Sequence, residues 1–160
     1  MTQTTSLEPM AISSINIHIK VKDFQRSLLF YESLGFKKVA SFGPDQKVKE
    51  RYNGADFQHG GTILEIADGH RGVKPEVFQE TVASSKISLF IGVDSISDML
   101  AVCKKVGIEP IVGVRHYHWG KLEFVVRDPD GVIIVFFAPY TKEEAEKVNA
   151  DESYSTVLPA

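Results

Sequence analysis

The sequence predicts an α+β fold built from two βαβββ modules, and three observations point there. Residues 14–39, SINIHIKVKDFQRSLLFYESLGFKKV, recur as residues 86–111, KISLFIGVDSISDMLAVCKKVGIEPI, at a constant offset of 72. Each copy opens with the apolar and polar alternation of a half-buried strand and continues at helical spacing to a glycine, the residue best able to turn the chain past a helix end. Three shorter strand-like runs, separated by turn signals, follow each helix.

The first strand carries Ile15, Ile17, Ile19 and Val21 on one parity, with Asn16, His18, Lys20 and Lys22 on the other. Side chains on a strand alternate between faces, so the aliphatic set is buried while His18 shares a face with polar neighbours. Asp23 is placed to cap the first helix, and Phe24, Leu28, Tyr31 and Leu34 give it one apolar stripe. The runs KKVASF, KVKERYNGADF and GTILEIA complete the first copy. In the second copy Ile87, Leu89, Ile91 and Val93 match the aliphatic parity of the first. Ser95 with Asp98 resembles a capping box, Ile96, Leu100, Cys103 and Val106 form the stripe, and EPIVGVRHYH, KLEFVVR and GVIIVFFAP follow. Of the turn signals GPDQ, HGG, HWGK and DPDG, the last is the strongest. Thr141 with Glu144 predicts a short exposed C-terminal helix before a polar tail of uncertain order. The expected organisation is a loose N-terminus over 1–11, a first module over 12–68, a linker over 69–85, a second module over 86–139, and a C-terminal helix and tail over 140–160.

Bulk properties exclude several classes. A chain of 160 residues with 43% hydrophobic content can build a core unaided. A net charge of −3, from 18 basic and 21 acidic residues spread along the chain, offers no platform for nucleic acid or an anionic membrane. Cys103 is the only cysteine, so neither a disulfide nor a cysteine-rich zinc site is expected, and a cytoplasmic setting is the simplest. The opening MTQTTSLEPM has no apolar stretch, so no secretory signal is expected, and no run is apolar enough for a membrane span. No nucleophile elbow, phosphate loop or Cys/His pair is apparent.

The two βαβββ copies, the segment DFQRSLLFYESLGF and the closing VVRDPDGVIIVFF together make the chain resemble the vicinal oxygen chelate superfamily, which includes glyoxalase I, extradiol dioxygenases, and fosfomycin and bleomycin resistance proteins. The resemblance covers residues 12–139 and implies a cupped mixed sheet with helices on its convex face. It also implies a homodimer and a small molecule or a divalent metal ion held in the cup. Metal-using members place ligands on the first and fourth strands of each module, which here correspond to His18 and Glu65. The repeat puts Phe90 and Val135 at the matching places in the second copy. Two of four expected ligand positions are therefore hydrocarbon, whereas catalytic metal sites usually have three protein ligands and an open position.

Two functions follow from the resemblance. In the first, the protein binds a small molecule without a complete metal site, with Phe90, Ile133, Val135 and Trp119 as the apolar lining and Asn16, His18 and Glu65 as polar contacts. In the second, one divalent ion (Zn, Ni, Fe or Mn) supports a lyase or dioxygenase, with His18 and Glu65 as metal or acid/base residues. His116 or His118, two apart and on one face if the strand runs through both, or a partner chain would then complete the site. The plainer role for His116 and His118 is to flank a hairpin turn, and His59 and His70 are expected in surface turns. Trp119 and Tyr117, taken singly, are better suited to core or dimer packing than to a ligand.

Overall fold

The computed structural model describes residue 8 and residues 10–156. The expected looseness of residues 1–11 therefore falls largely outside the described residues. The first module comprises β1 (Ile17–Lys20), α1 (Phe24–Ser33), β2 (Lys38–Phe42), β3 (Gly54–His59) and β4 (Thr62–Ala67). The second comprises β5 (Ser88–Gly92), α2 (Ile96–Lys105), β6 (Val112–Tyr117), β7 (Lys121–Arg127) and β8 (Ile133–Pro139), and α3 (Lys142–Val148) follows. They form two four-stranded mixed sheets, ordered β1-β4-β3-β2 and β5-β8-β7-β6, so β1 and β5 are both edge strands.

Local chemistry sets the helices where the pattern places them. The Asp23 carboxylate accepts from the Arg26 amide at 3.1 Å, and the Ser95 hydroxyl accepts from the Asp98 amide at 3.1 Å. Gly35 and Gly107, just past the two helices, have φ of 95° and 79°, a conformation that costs a residue with a Cβ. Phe24, Tyr31 and Leu34 on α1 and Ile96, Met99 and Cys103 on α2 are buried in one continuous core with Ile19, Phe57, Ile66, Leu89, Phe124 and Phe136 from the strands. Val106, read as part of the second stripe, is instead exposed, because the helix has already ended there.

Three features depart from the pattern. KVKERYNGADF forms a strand only over its last part, in β3. Thr141 does cap α3, but the Glu144 carboxylate, instead of folding back on its own helix start, takes hydrogen bonds from the Ser95 and Ser97 hydroxyls at the start of α2. Those hydroxyls sit at the N-terminus of α2, where a negative charge is favoured. The tail after α3 is docked: Asp151 donates its amide to Val114 and accepts from the His116 amide, both at 2.9 Å, covering the outer edge of β6.

The modules are joined by a buried polar contact. The Tyr31 hydroxyl donates to Asp128 at 2.7 Å, and Asp130 accepts from the Lys22 amide at 3.0 Å and faces the Ser27 hydroxyl at 3.4 Å. All four side chains, Ser27, Tyr31, Asp128 and Asp130, are buried. Burial pushes both aspartates above their ordinary values, while their hydrogen bonds pull them back. The linker is strapped onto the same turn: Val82 donates to the Asp130 carbonyl at 2.8 Å, and a Cβ at Gly131 would come within 2.1 Å of the Val82 oxygen. No helix among the described residues is long and apolar enough to cross a membrane. Replacing Tyr31 with Phe removes the hydroxyl from the buried Asp128 carboxyl and is expected to cost about 1–3 kcal/mol of stability. Urea unfolding measures this, and a wild-type midpoint would show that the modules do not depend on the contact.

Candidate functional site

Each sheet has one face covered by its helix and one open face, and strand parity assigns the side chains. In the first module Ile19, Ala55, Phe57, Leu64 and Ile66 belong to the helix-side core, so the alternate residues His18, Asp56 and Glu65 lie on the open face. The parallel pairing of β1 with β4 sets His18 opposite Glu65, and the antiparallel pairing of β3 with β4 sets Asp56 opposite Glu65 on its other side. His18 Nδ1 is 3.9 Å from Glu65 Oε1, with the imidazole 52% exposed and the carboxylate more covered.

Burial raises the Glu65 carboxyl above its usual value of 4.5; His18 opposes that shift, Asp56 adds to it through charge and a side-chain hydrogen bond, and His70 opposes it weakly. The Asp56 Oδ1 atom is buried with no hydrogen-bond partner. Two neighbouring carboxylates repel, which is why Asp56 adds to the upward shift of Glu65. His18 and Glu65, the pair the resemblance implied, thus stand side by side but beyond hydrogen-bonding distance, and Asp56 lies on the other side of Glu65. Its signal was present in the alternation of GADF, but it needed the β3 register to be read. His70, expected in a surface turn, is exposed yet close enough for its charge to reach Glu65.

In the second module the parallel pairing of β5 with β8 sets Phe90 opposite Val135, the same register as His18 and Glu65. Phe90 is exposed and stacks on Phe137 with centroids 4.2 Å apart. Val125 stands opposite Val135 where Asp56 stands opposite Glu65. Ile133 shares the parity of Val135 and is buried beside Arg127. Trp119 stacks on Tyr117 at 4.5 Å and donates its indole N–H to the Glu123 carboxylate at 3.1 Å. Glu123 drew no notice in the sequence because KLEFVVR reads simply as a strand.

Other candidates are placed elsewhere. The Asn16 side-chain oxygen accepts from the Ile63 amide at 2.9 Å, pinning the start of β1 to β4. His116 pairs opposite Leu122 on the helix side, stacks on Tyr140 and lies 2.5 Å from Glu152. β6 ends at Tyr117, so His118 lies in the following turn, with its ring edge-on to Trp119, and does not share a strand face with His116. An apolar cleft of about 480 Å³ between the modules is lined by residues including Leu34, Phe36, Phe57, Leu89, Phe90 and Phe136. His18, Glu65 and Val135 are not part of that lining.

A family model for the glyoxalase/bleomycin resistance protein/dioxygenase superfamily matches residues 12–136. The chain belongs to this superfamily. No curated protein sequence matches significantly. Among solved structures, the chain is similar to the fosfomycin resistance protein FosX from Mesorhizobium loti, with 16% identity over 86% of this chain and 99% of that one and a TM-score of 0.58. A FosX variant from Listeria monocytogenes, complexed with Mn(II) and 1S,2S-dihydroxypropylphosphonic acid, is 18% identical over 86% of this chain and 99% of that one, with a TM-score of 0.63. A glyoxalase I variant from Zea mays is 19% identical over 79% of this chain but only 45% of that one, with a TM-score of 0.61. At these identities the likeness is one of fold.

For a superfamily that includes metal enzymes, the donor set here is short. Among the described residues no three His, Cys, Asp or Glu side chains converge so as to hold a metal ion. His18 and Glu65 are two donors with Asp56 beside Glu65, and their counterparts Phe90 and Val135 offer none, where a catalytic centre usually has three protein ligands.

The raised Glu65 carboxyl means that the folded chain holds this proton more tightly than the unfolded chain. Its contribution to stability is present below pH 4.5 and is lost as the pH rises through the raised value. Asp56→Asn removes the adjacent negative charge, so Glu65 is expected to titrate at lower pH than in the wild type, read from its carboxyl carbon shift by NMR. An unchanged titration would show that the two carboxyls are independent.

Proposed function

We propose that the protein binds a small organic molecule on the open faces of its modules and does so without a complete metal centre. The observation that carries this is the shared register: His18 with Glu65 in one module and Phe90 with Val135 in the other occupy the same two places. At these places one module offers an imidazole, a raised carboxyl and Asp56, while the other offers Phe90, Val135 and Val125. That combination of apolar lining and a few polar groups is how small-molecule sites are usually built. His18 places a ring nitrogen 3.9 Å from the Glu65 carboxyl, so the pair presents both nitrogen and oxygen groups for a ligand to hydrogen-bond. Retention of a ligand requires no turnover, so the missing donors do not weaken it.

A homodimer belongs to the same proposal. The edge strands β1 and β5 leave Ile15 and Ile87, at their entrances, 70% and 78% exposed, and a second copy would cover them. A cytoplasmic setting and a lack of nucleic-acid partners complete it. The competing function is a divalent-metal lyase or dioxygenase, favoured by the neighbouring Asp56 and Glu65 carboxyls beside His18, whose mutual repulsion a cation would relieve.

Elemental analysis of protein purified without chelator, followed by metal titration of the wild type and His18→Ala, separates the two. The proposal expects well under one equivalent of bound metal and no difference between wild type and variant. One tightly held ion per chain, lost in His18→Ala, would overturn it in favour of the metal enzyme.

A further inference from the structure

We propose that Glu123 anchors a flat, positively charged group of the ligand on the open face of the second module, between two aromatic stacks. This rests on the small-molecule function proposed above and names the chemical class for the second module. Glu123 lies on β7 opposite Phe137 of β8, between Leu122 and Phe124, whose side chains enter the helix-side core. Its own carboxyl therefore lies on the open face, in line with Val125 and Arg127. The residue is only 7% exposed. Among the described residues its single hydrogen-bond partner is the Trp119 indole, and no ion pair reaches it. Arg115, opposite Glu123 on β6, turns its guanidinium to the Tyr117 hydroxyl and over the Tyr154 ring at 4.6 Å, and Lys121 holds its ammonium 5.7 Å from the Phe137 ring, so neither cation pairs with the carboxyl.

A covered carboxylate with one neutral donor and no counter-charge is costly to keep ionised. Burial accordingly pushes Glu123 above its ordinary value, and the indole hydrogen bond offsets only part of that. A cation with N–H donors would remove the cost by supplying both the charge and the second hydrogen bond. The surroundings suit a planar one. Phe90 and Phe137 stack at 4.2 Å and 16°, and Tyr117 and Trp119 at 4.5 Å and 4°, with Glu123 between the two pairs through its register with Phe137 and its bond to Trp119. Aromatic faces attract cations as well as flat rings, so charge and shape select the same kind of group. A neutral aliphatic ligand would leave the carboxyl uncompensated.

Trp119 is the only tryptophan, so its fluorescence reports directly on this face. Benzamidine and benzamide, a cationic and a neutral planar probe of matching shape, are titrated into the full chain at neutral pH. Benzamidine is expected to quench the fluorescence with an affinity about tenfold or more above that of benzamide, a charge-assisted preference. Glu123→Gln keeps the shape and the acceptor for Trp119, and is expected to reduce that preference to about twofold or less. As a check that needs no variant, benzamidine is expected to shift the Glu123 carboxyl carbon resonance in the wild type. Equal affinity for the two probes, a preference that survives Glu123→Gln, or an unmoved Glu123 resonance would overturn the anchor and leave small-molecule binding standing. Failure of both probes to bind would also overturn the anchor, whereas the metal analysis decides the wider function independently.

Discussion

The parallel pairing of the first strand with the fourth in each module is the constraint on which the rest depends. A parallel ladder admits one register once the aliphatic parity of both strands is committed to the helix side, because a slip of one residue would turn every buried side chain to the open face. That commitment sets His18 against Glu65 and Phe90 against Val135. The same geometry is built twice, and only the chemistry at the two places differs. The asymmetry of the protein therefore lies in side chains alone, since the pairing beneath them is common to both halves.

Holding the halves together is a different kind of interaction. The cores of the two modules merge, but the orientation is set by polar groups with strict geometry: Tyr31 on Asp128, the Lys22 amide and Ser27 on Asp130, and the linker amide of Val82 on the same turn. Apolar contact would tolerate sliding, whereas buried hydrogen bonds do not, since each group left unpaired loses its hydration without compensation. The DPDG turn thus serves two purposes. It closes the hairpin between β7 and β8, and its carboxylates receive the first module.

Much of this was legible in the chain. The repeat at constant offset disclosed both modules, and the alternation around His18 assigned its face before any neighbour was known. Local signals of that kind survive because they depend on the period of a strand or helix and on short capping contacts. What escaped notice depended on register between segments far apart in sequence. Asp56 acquires meaning only once β3 is aligned with β4, since nothing in GADF shows which residue will stand opposite Glu65. Glu123 was hidden likewise, as one polar residue in an ordinary strand, until its burial and the Trp119 contact appeared. Glu144 was understood as a cap for its own helix, but its carboxylate serves α2, a choice made by tertiary proximity.

The docking of Asp151 along β6 bears on how copies of the chain can meet. A strand with free amides and carbonyls is a template for any passing extended chain, and at Val114 and His116 of β6 that template is taken by Asp151 of the chain's own C-terminal segment. At the far side of the other sheet, the irregular pairing of β2 with β3 spoils the flatness that lateral growth requires. The two free-edged sheets are thus unlike at their ends, with Asp151 occupying part of β6 and no such segment lying along β1 or β5 among the described residues. Loss of residues 151–156 would bare the Val114 carbonyl and the His116 amide and make the two ends more alike.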